Sequence, residues 1–143
     1  MPQVAPQVGI VLVSHSSRLA EGVAELAGQV SGGTVIIVAA GGMDDGGLGT
    51  SAAKVAAALE RAESGAGVLV LPDLGSAVLT VRALLAEDPD APVPVNPVPI
   101  NKVAIADAPF VEGAVAATVT AAAGADLTDV AKAAEEAWHA RKL

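Results

Sequence analysis

Three short, unbroken runs of apolar residues constrain the fold of this 143-residue chain more than any other feature. They cover residues 8–14, 34–40 and 67–71, and none of them alternates between apolar and polar positions. Strands without alternation are buried on both faces, as in parallel sheets that are covered by helices. A segment with helical features follows each run. The order predicts an α/β fold with a doubly wound, mainly parallel sheet flanked by helices in three α/β/α layers.

The segments between the runs carry the signals of amphipathic helices. Leu19, Val23, Leu26 and Val30 recur at steps of four, three and four, which predicts a first helix with these residues on its buried face. Thr50 or Ser51 can cap a second helix that runs to about residue 63. Three more helices are predicted: one from residue 76 to about 87, one over 110–123 and one over 126–141.

A proline-rich stretch separates the third helix from the last predicted strand. Residues 88–99 contain five prolines, whose missing N–H donors confine the stretch to a loop or an edge strand, with 95–98 as the candidate edge. Residues 103–106 form a possible short strand. No internal repeat or linker divides the chain, so we expect one domain over residues 1–143, with loose ends at 1–7 and 142–143.

Charge and composition exclude several classes of function. A formal net charge of −8 argues against a surface for nucleic acid or anionic membranes. No apolar stretch reaches the ~20 residues that span a bilayer, and the first seven residues do not resemble a signal peptide. The absence of cysteine fits a reducing compartment, so we expect a cytoplasmic protein. The only two histidines, His15 and His139, are far apart in the sequence, so no metal site is expected.

His15 is the residue with the clearest chemical potential. It directly follows the first apolar run, where the carboxyl end of a strand in an open α/β sheet meets its ligands. Right-handed crossovers bring the carboxyl ends of the first three strands to one edge. The loops 14–17, 41–50 and 73–76 are therefore predicted to converge there.

The residue types in these loops suit phosphoryl transfer. A neutral imidazole, with an unperturbed pKa of about 6.5, accepts a phosphoryl group without a base. If Asp73 accepts from Nδ1–H of His15, Nε2 becomes the attacking nitrogen. Backbone N–H groups of a glycine-rich loop and a helix start can hold the phosphate. The candidate phosphate-binding residues are Gly41, Gly42, Gly49, Thr50, Gly75 and Ser76.

Each of these residues also has a purely structural interpretation. A lone histidine at a strand end commonly packs or caps, and Asp73 is a good cap for the third helix. The glycines of the 41–50 loop are equally suited to forming a tight turn. Thr50 is a good helix cap in its own right.

The combination of segments resembles a known family, the DhaM phosphotransferase subunits of phosphoenolpyruvate-dependent dihydroxyacetone kinases, whose fold is similar to the mannose-family enzyme IIA. The residues that carry the resemblance are IVLVSHSSRLAEGV (10–23), AAGG (39–42), GTS (49–51), DLGSA (73–77) and FVEG (110–113). The resemblance implies that His15 accepts a phosphoryl group from phospho-HPr and passes it to ADP on DhaL. The ATP formed then phosphorylates dihydroxyacetone bound to DhaK.

The resemblance also implies the remaining features of the site and its partners. Asp73 matches the aspartate that supports the active histidine. The phosphate is carried covalently on His15, with no bound cofactor, and the family forms homodimers. The sequence itself offers only an apolar edge at 93–98 for association. Some members continue into HPr-like and enzyme I-like domains, so a single-domain chain is expected to take its phosphate from separate proteins.

Two other functions compete with a phosphoryl carrier. One is a regulatory or binding module of the same fold that uses the phosphate as a signal and does not pass it on. The other, a response-regulator receiver, is disfavoured because Ser14 and His15 stand where such domains need an acidic pair. Neither a Walker loop nor a GxSxG motif is present.

Overall fold

The computed structural model describes residues 5–85 and 102–143. Within them lies a four-stranded sheet in the order β2-β1-β3-β4, and every neighbouring pair is parallel. This confirms the predicted parallel α/β fold. The strands are β1 (Gly9–Ser14), β2 (Ile37–Gly41), β3 (Val68–Pro72) and β4 (Val103–Ile105).

Helices cover both faces of the sheet. One apolar core joins one face of the sheet to α1, α4 and α5, and a second core joins the other face to α2 and α3. The arrangement gives the predicted three layers. The helices are α1 (Ser17–Val30), α2 (Ala52–Ala62), α3 (Gly75–Leu85), α4 (Phe110–Ala122) and α5 (Leu127–Glu136), followed by a 3₁₀ turn at Ala137–His139.

Strand β1 lies between β2 and β3 and is buried along its whole length. Ile10 and Leu12 belong to one core, whereas Val11 and Val13 belong to the other. All four side chains are fully buried, and each such burial contributes about 1.5–3 kcal/mol. The run without polar alternation is thus explained by a strand that contributes to both cores.

The predicted buried face of α1 is wrong in three of its four residues. Leu19, Leu26 and Val30 are 44%, 45% and 55% exposed, and only Val23 is buried. Ala20 and Ala27 complete the buried stripe. Their small side chains also recur at helical spacing, and they face the sheet while the larger leucines lie to one side.

Several predicted boundaries shift. Strand β2 begins at Ile37 rather than at residue 34, and α5 ends at Glu136 rather than at residue 141. After α5 the chain tightens into the 3₁₀ turn, where Trp138 Nε1 donates to the Asp107 carbonyl at 2.9 Å. The predictions for 88–99, 93–98, 95–98 and the end of the third helix at 87 lie outside the described residues, as do residues 1–4.

Candidate active site

The register of the sheet brings His15 and Asp73 together. Val13 of β1 pairs with Pro72 of β3, and one residue later Ser14 pairs with Gly41 of β2. His15 directly follows the end of β1, and Asp73 directly follows the end of β3. The three predicted loops therefore meet at the carboxyl edge of the sheet.

The Asp73 carboxylate accepts four hydrogen bonds. Its Oδ1 lies 3.1 Å from His15 Nδ1 and 2.8 Å from the Leu74 backbone nitrogen. Its Oδ2 lies 2.9 Å from Ser14 Oγ and 3.1 Å from the His15 backbone nitrogen. With its side chain only 9% exposed, Asp73 is held by donors on both oxygens.

These donors keep Asp73 ionised. Burial by itself raises the pKa of the carboxyl group. The hydrogen bonds from the His15 backbone, the Ser14 hydroxyl and the His15 ring, together with the electrostatic effect of His15, outweigh burial and leave the pKa of Asp73 below its ordinary value of 3.8. An ionised carboxylate therefore faces the imidazole at neutral pH.

The contacts of the imidazole favour one tautomer. An ionised carboxylate can only accept, so the contact with Asp73 favours a neutral ring with its proton on Nδ1 and its lone pair on Nε2. Ser76 Oγ lies 2.6 Å from Nε2, and in that tautomer the hydroxyl is the donor. With 27% of its side chain exposed, His15 presents Nε2 at the surface beside a serine hydroxyl.

Sequence reasoning gave no role to Ser14, although it belongs to the predicted loop. The side chain is fully buried, and its Oγ contacts both Asp73 Oδ2 and the Ser16 backbone nitrogen, the latter at 3.0 Å. The sequence signal for it was a hydroxyl residue at the carboxyl end of an otherwise apolar strand. Buried polar groups require partners, and that requirement points toward the site.

Two helices, α1 and α3, begin at this edge. Ser16 caps α1, because its Oγ accepts from the Leu19 backbone nitrogen at 3.2 Å. The N–H groups of Gly75 and Ser76 open α3, and within the described residues neither donates a hydrogen bond. The positive end of a helix favours an anion at such a position.

Two glycines of the 41–50 loop donate their N–H groups to backbone carbonyls at the end of β1. Gly42 N–H donates to the Ser14 carbonyl at 3.1 Å, and Gly49 N–H donates to the His15 carbonyl at 2.9 Å. At Gly41, a Cβ atom would lie 2.5 Å from the carbonyl oxygen of Ser16, so only glycine fits. In this conformation the three glycines pack the loop against the end of β1.

Thr50 and its neighbours anchor the far side of the loop. Thr50 Oγ1 is buried without a hydrogen-bond partner, and Ser51, not Thr50, caps α2 by accepting from the Lys54 backbone nitrogen. The Lys54 ammonium donates to the carbonyls of Gly41 and Met43, both at 3.1 Å. The loop is therefore tied to α2 as well as to β1.

Nothing in the described part of the chain groups three or more His, Cys, Asp or Glu side chains where they could hold a metal ion. None of the described helices is long and apolar enough to cross a membrane. What the edge does offer is a partly exposed imidazole nitrogen, an ionised carboxylate on the opposite side of the ring, and the N–H groups at the start of α3. This set suits transfer of an anionic group to and from Nε2.

Comparison with protein families identifies relatives over most of the chain. Residues 9–131 match the family model EIIA-man, described as PTS system fructose IIA component. The chain is 44% identical over 142 residues to an Escherichia coli (strain K12) protein, "PEP-dependent dihydroxyacetone kinase, phosphoryl donor subunit DhaM". That match covers 94% of this chain and 28% of the relative, so the chain spans under a third of that protein's length.

A shorter relative and a solved structure match over most of their own length. The Listeria innocua protein "PEP-dependent dihydroxyacetone kinase 2, phosphoryl donor subunit DhaM" is 38% identical over 112 residues, which are 78% of this chain and 84% of the relative. The crystal structure of the unknown-function protein EF1359 gives a TM-score of 0.73 at 32% identity and covers 91% of this chain and 94% of that one.

Proposed function

Because the chain belongs to the EIIA-man family, the fructose IIA components of the phosphotransferase system, we propose that it carries a phosphoryl group on His15 within a dihydroxyacetone kinase system. The observation that carries the proposal is the His15 ring, with Nδ1 3.1 Å from the Asp73 carboxylate and Nε2 at the surface. The donor is phospho-HPr, and the acceptor is ADP on DhaL, which serves DhaK.

The transfer needs no proton to move. The Nε2 lone pair attacks the phosphorus of the donor phosphohistidine, the P–N bond of the donor breaks, and its electron pair returns to the donor ring. In the second step, a β-phosphate oxygen of ADP attacks the phosphorus on His15. The Nε2–P bond then breaks, its electron pair returns to Nε2, and ATP forms.

Asp73 and the start of α3 stabilise the charges of this reaction. As Nε2 bonds to phosphorus, the ring gains positive charge, and the Asp73 carboxylate at Nδ1 offsets it. Ser76 must release Nε2, and its hydroxyl can then donate to a phosphoryl oxygen. The open N–H groups of Gly75 and Ser76 are further donors to that phosphate.

The other predicted phosphate ligands are retained in the proposal with a changed role. Gly42 and Gly49 donate to the carbonyls of Ser14 and His15, and Gly41 lies close to the backbone at the start of α1. In the proposal these glycines shape the loop beside His15. Thr50 Oγ1 has an unused hydrogen-bonding capacity beneath the same loop. Direct phosphate contact by the N–H groups of Gly42 and Gly49 requires these groups to leave their carbonyl partners on phosphorylation.

Labelling the protein tests the proposal. Incubation with phosphoenolpyruvate, enzyme I and HPr should add one acid-labile phosphoryl group, observed by intact mass. The matched variants are His15→Ala and His139→Ala, since these are the chain's only two histidines. We expect no label on the first and full label on the second. Labelling of His15→Ala would overturn the assignment of the nucleophile.

A second stage separates a carrier from a regulatory module. Adding DhaL, DhaK, ADP and dihydroxyacetone to the labelled protein should discharge the label and form dihydroxyacetone phosphate. A label that persists would instead favour a phosphorylation-dependent binding module. A homodimer, which the family resemblance implies, belongs to the same proposal, and sedimentation equilibrium tests it. The cytoplasmic location expected from the composition is part of the proposal as well.

A further inference from the structure

The Ser14 hydroxyl has both of its hydrogen-bonding functions fixed by neighbours. The Ser16 backbone N–H can only donate, so at 3.0 Å it uses Ser14 Oγ as its acceptor. The Ser14 proton is thereby left to point at Asp73 Oδ2, 2.9 Å away. Because the side chain is fully buried, no solvent molecule competes for either contact.

This hydroxyl binds the carboxylate oxygen that does not contact the imidazole. Ser14 Oγ and the His15 backbone nitrogen hold Oδ2, which leaves Oδ1 directed at His15 Nδ1. Without the hydroxyl, Oδ2 keeps only the backbone donor. The backbone N–H groups of Leu74 and His15 still hold the carboxylate, but it gains freedom to rotate about its terminal bond, a torsion with a broad energy well.

We infer that Ser14 is a positioning residue for phosphoryl transfer: its buried hydroxyl orients Asp73 so that the proton of the His15 ring stays on Nδ1 and Nε2 keeps its lone pair. The inference rests on the proposed function at His15. The hydrogen bonds of Ser14 Oγ go to Asp73 and Ser16, so it acts on His15 through Asp73. It also links the carboxylate to the cap of α1, because the N–H that it accepts belongs to Ser16.

Two variants that each lose a buried hydroxyl give a matched comparison. Ser14→Ala deletes the hydroxyl oxygen at the site. Thr118→Val deletes a hydroxyl that is equally buried in α4, where Thr118 Oγ1 donates to the Ala114 carbonyl at 2.7 Å. Both are made in a His139→Gln background, so that His15 gives the only imidazole signals.

The primary measurement is the ¹⁵N NMR spectrum of the ring at neutral pH, in which the two nitrogen shifts report the site of the proton. We expect the parent and Thr118→Val to show protonated Nδ1, and Ser14→Ala to show a mixture with protonated Nε2. The rate of phosphorylation by phospho-HPr should fall about tenfold to a hundredfold in Ser14→Ala, the range for a lost hydrogen bond to a charged group.

The outcomes separate this inference from the proposed function. An unchanged ring spectrum in Ser14→Ala overturns the positioning role. If the parent accepts phosphate, a phosphorylation rate in Ser14→Ala equal to that of the parent overturns it as well. A parent that accepts no phosphate overturns the proposed function, while the ring spectra still decide whether Ser14 sets the tautomer. A loss of thermal stability alone, equal in both variants, assigns Ser14 a structural role and also overturns the inference.

Discussion

Replacing Asp73 with asparagine should destabilise the fold at neutral pH as well as impair the site. The carboxylate accepts four hydrogen bonds, two on each oxygen. In Asp73→Asn one oxygen becomes an NH₂ group, which cannot accept from either of the donors that face it. The other oxygen keeps its donors but loses its charge.

The size of the effect follows from these contacts. A hydrogen bond to a charged group contributes roughly 1.5–3 kcal/mol. In either orientation of the amide, the NH₂ group faces one backbone N–H that it cannot satisfy, and every remaining contact loses the charge of the carboxylate. Neighbouring contacts are not additive, so we expect the free energy of unfolding to fall by about 3 kcal/mol at pH 7. For a domain of this size that corresponds to a drop in Tm of roughly 10 °C.

The difference between the proteins should depend on pH in a defined direction. The pKa of Asp73 is lowered in the folded state, so ionisation of this group stabilises the fold. Its contribution is fully present above the ordinary value of 3.8 and is lost as the pH falls through the lower folded value. The stability gap between wild type and Asp73→Asn should therefore narrow in acid.

Urea denaturation at a series of pH values measures this gap. Asp45→Asn is the matched control, because Asp45 is exposed and its Oδ1 accepts one bond, from the Gly47 backbone nitrogen at 2.8 Å. We expect the control to change stability by no more than about 0.5 kcal/mol. A loss below about 1 kcal/mol in Asp73→Asn at pH 7, or a gap that stays constant into acid, would refute the reasoning.

Three further experiments test the residues that surround His15. Gly41→Ala places a Cβ atom against the backbone of Ser16 and should lower the free energy of unfolding by about 1–3 kcal/mol. The control Gly22→Ala, in open space on α1, should raise it by about 0.5–1 kcal/mol. Equal effects in thermal denaturation would contradict the close approach of Gly41 to α1. Lys54→Met removes the two hydrogen bonds that the ammonium group donates to the loop, so limited proteolysis should cleave within 43–49 faster than in wild type. Unchanged cleavage would mean that Lys54 does not hold the loop. Ser76→Ala removes the hydroxyl at Nε2 and should slow phosphorylation about tenfold or more by quenched-flow labelling; full wild-type rate would show that the hydroxyl gives no help to the transferred group.

The sequence predicted the sheet well because burial on both faces leaves a plain signal. Residues 8–14 are apolar up to Ser14, and the strand that forms there, β1, differs from the prediction by one residue. Helix α1 was harder, since Leu19 and Leu26 dominate a hydrophobicity pattern while Ala20 and Ala27 make the close contacts. Propensity and periodicity do not register how closely a helix approaches the sheet.

The site was predictable only where topology determines it. His15 and Asp73 follow neighbouring parallel strands, so their proximity could be inferred from position alone. The partners of the glycine N–H groups depend on the path of the loop, which composition does not specify. The role proposed for Ser14 depends on a rotamer and a hydrogen bond across the sheet, and neither has a sequence period.

The central position of β1 also bears on how the domain fluctuates. Core strands generally open with a free energy close to that of global unfolding, whereas exposed loops open locally at lower free energy. Strand β1 is buried and central, and residues 43–48 are exposed. We therefore expect amide hydrogen exchange to be slowest in β1, which ends at His15, and faster in 43–48, so that substitutions in this loop change the surroundings of His15 more readily than its position.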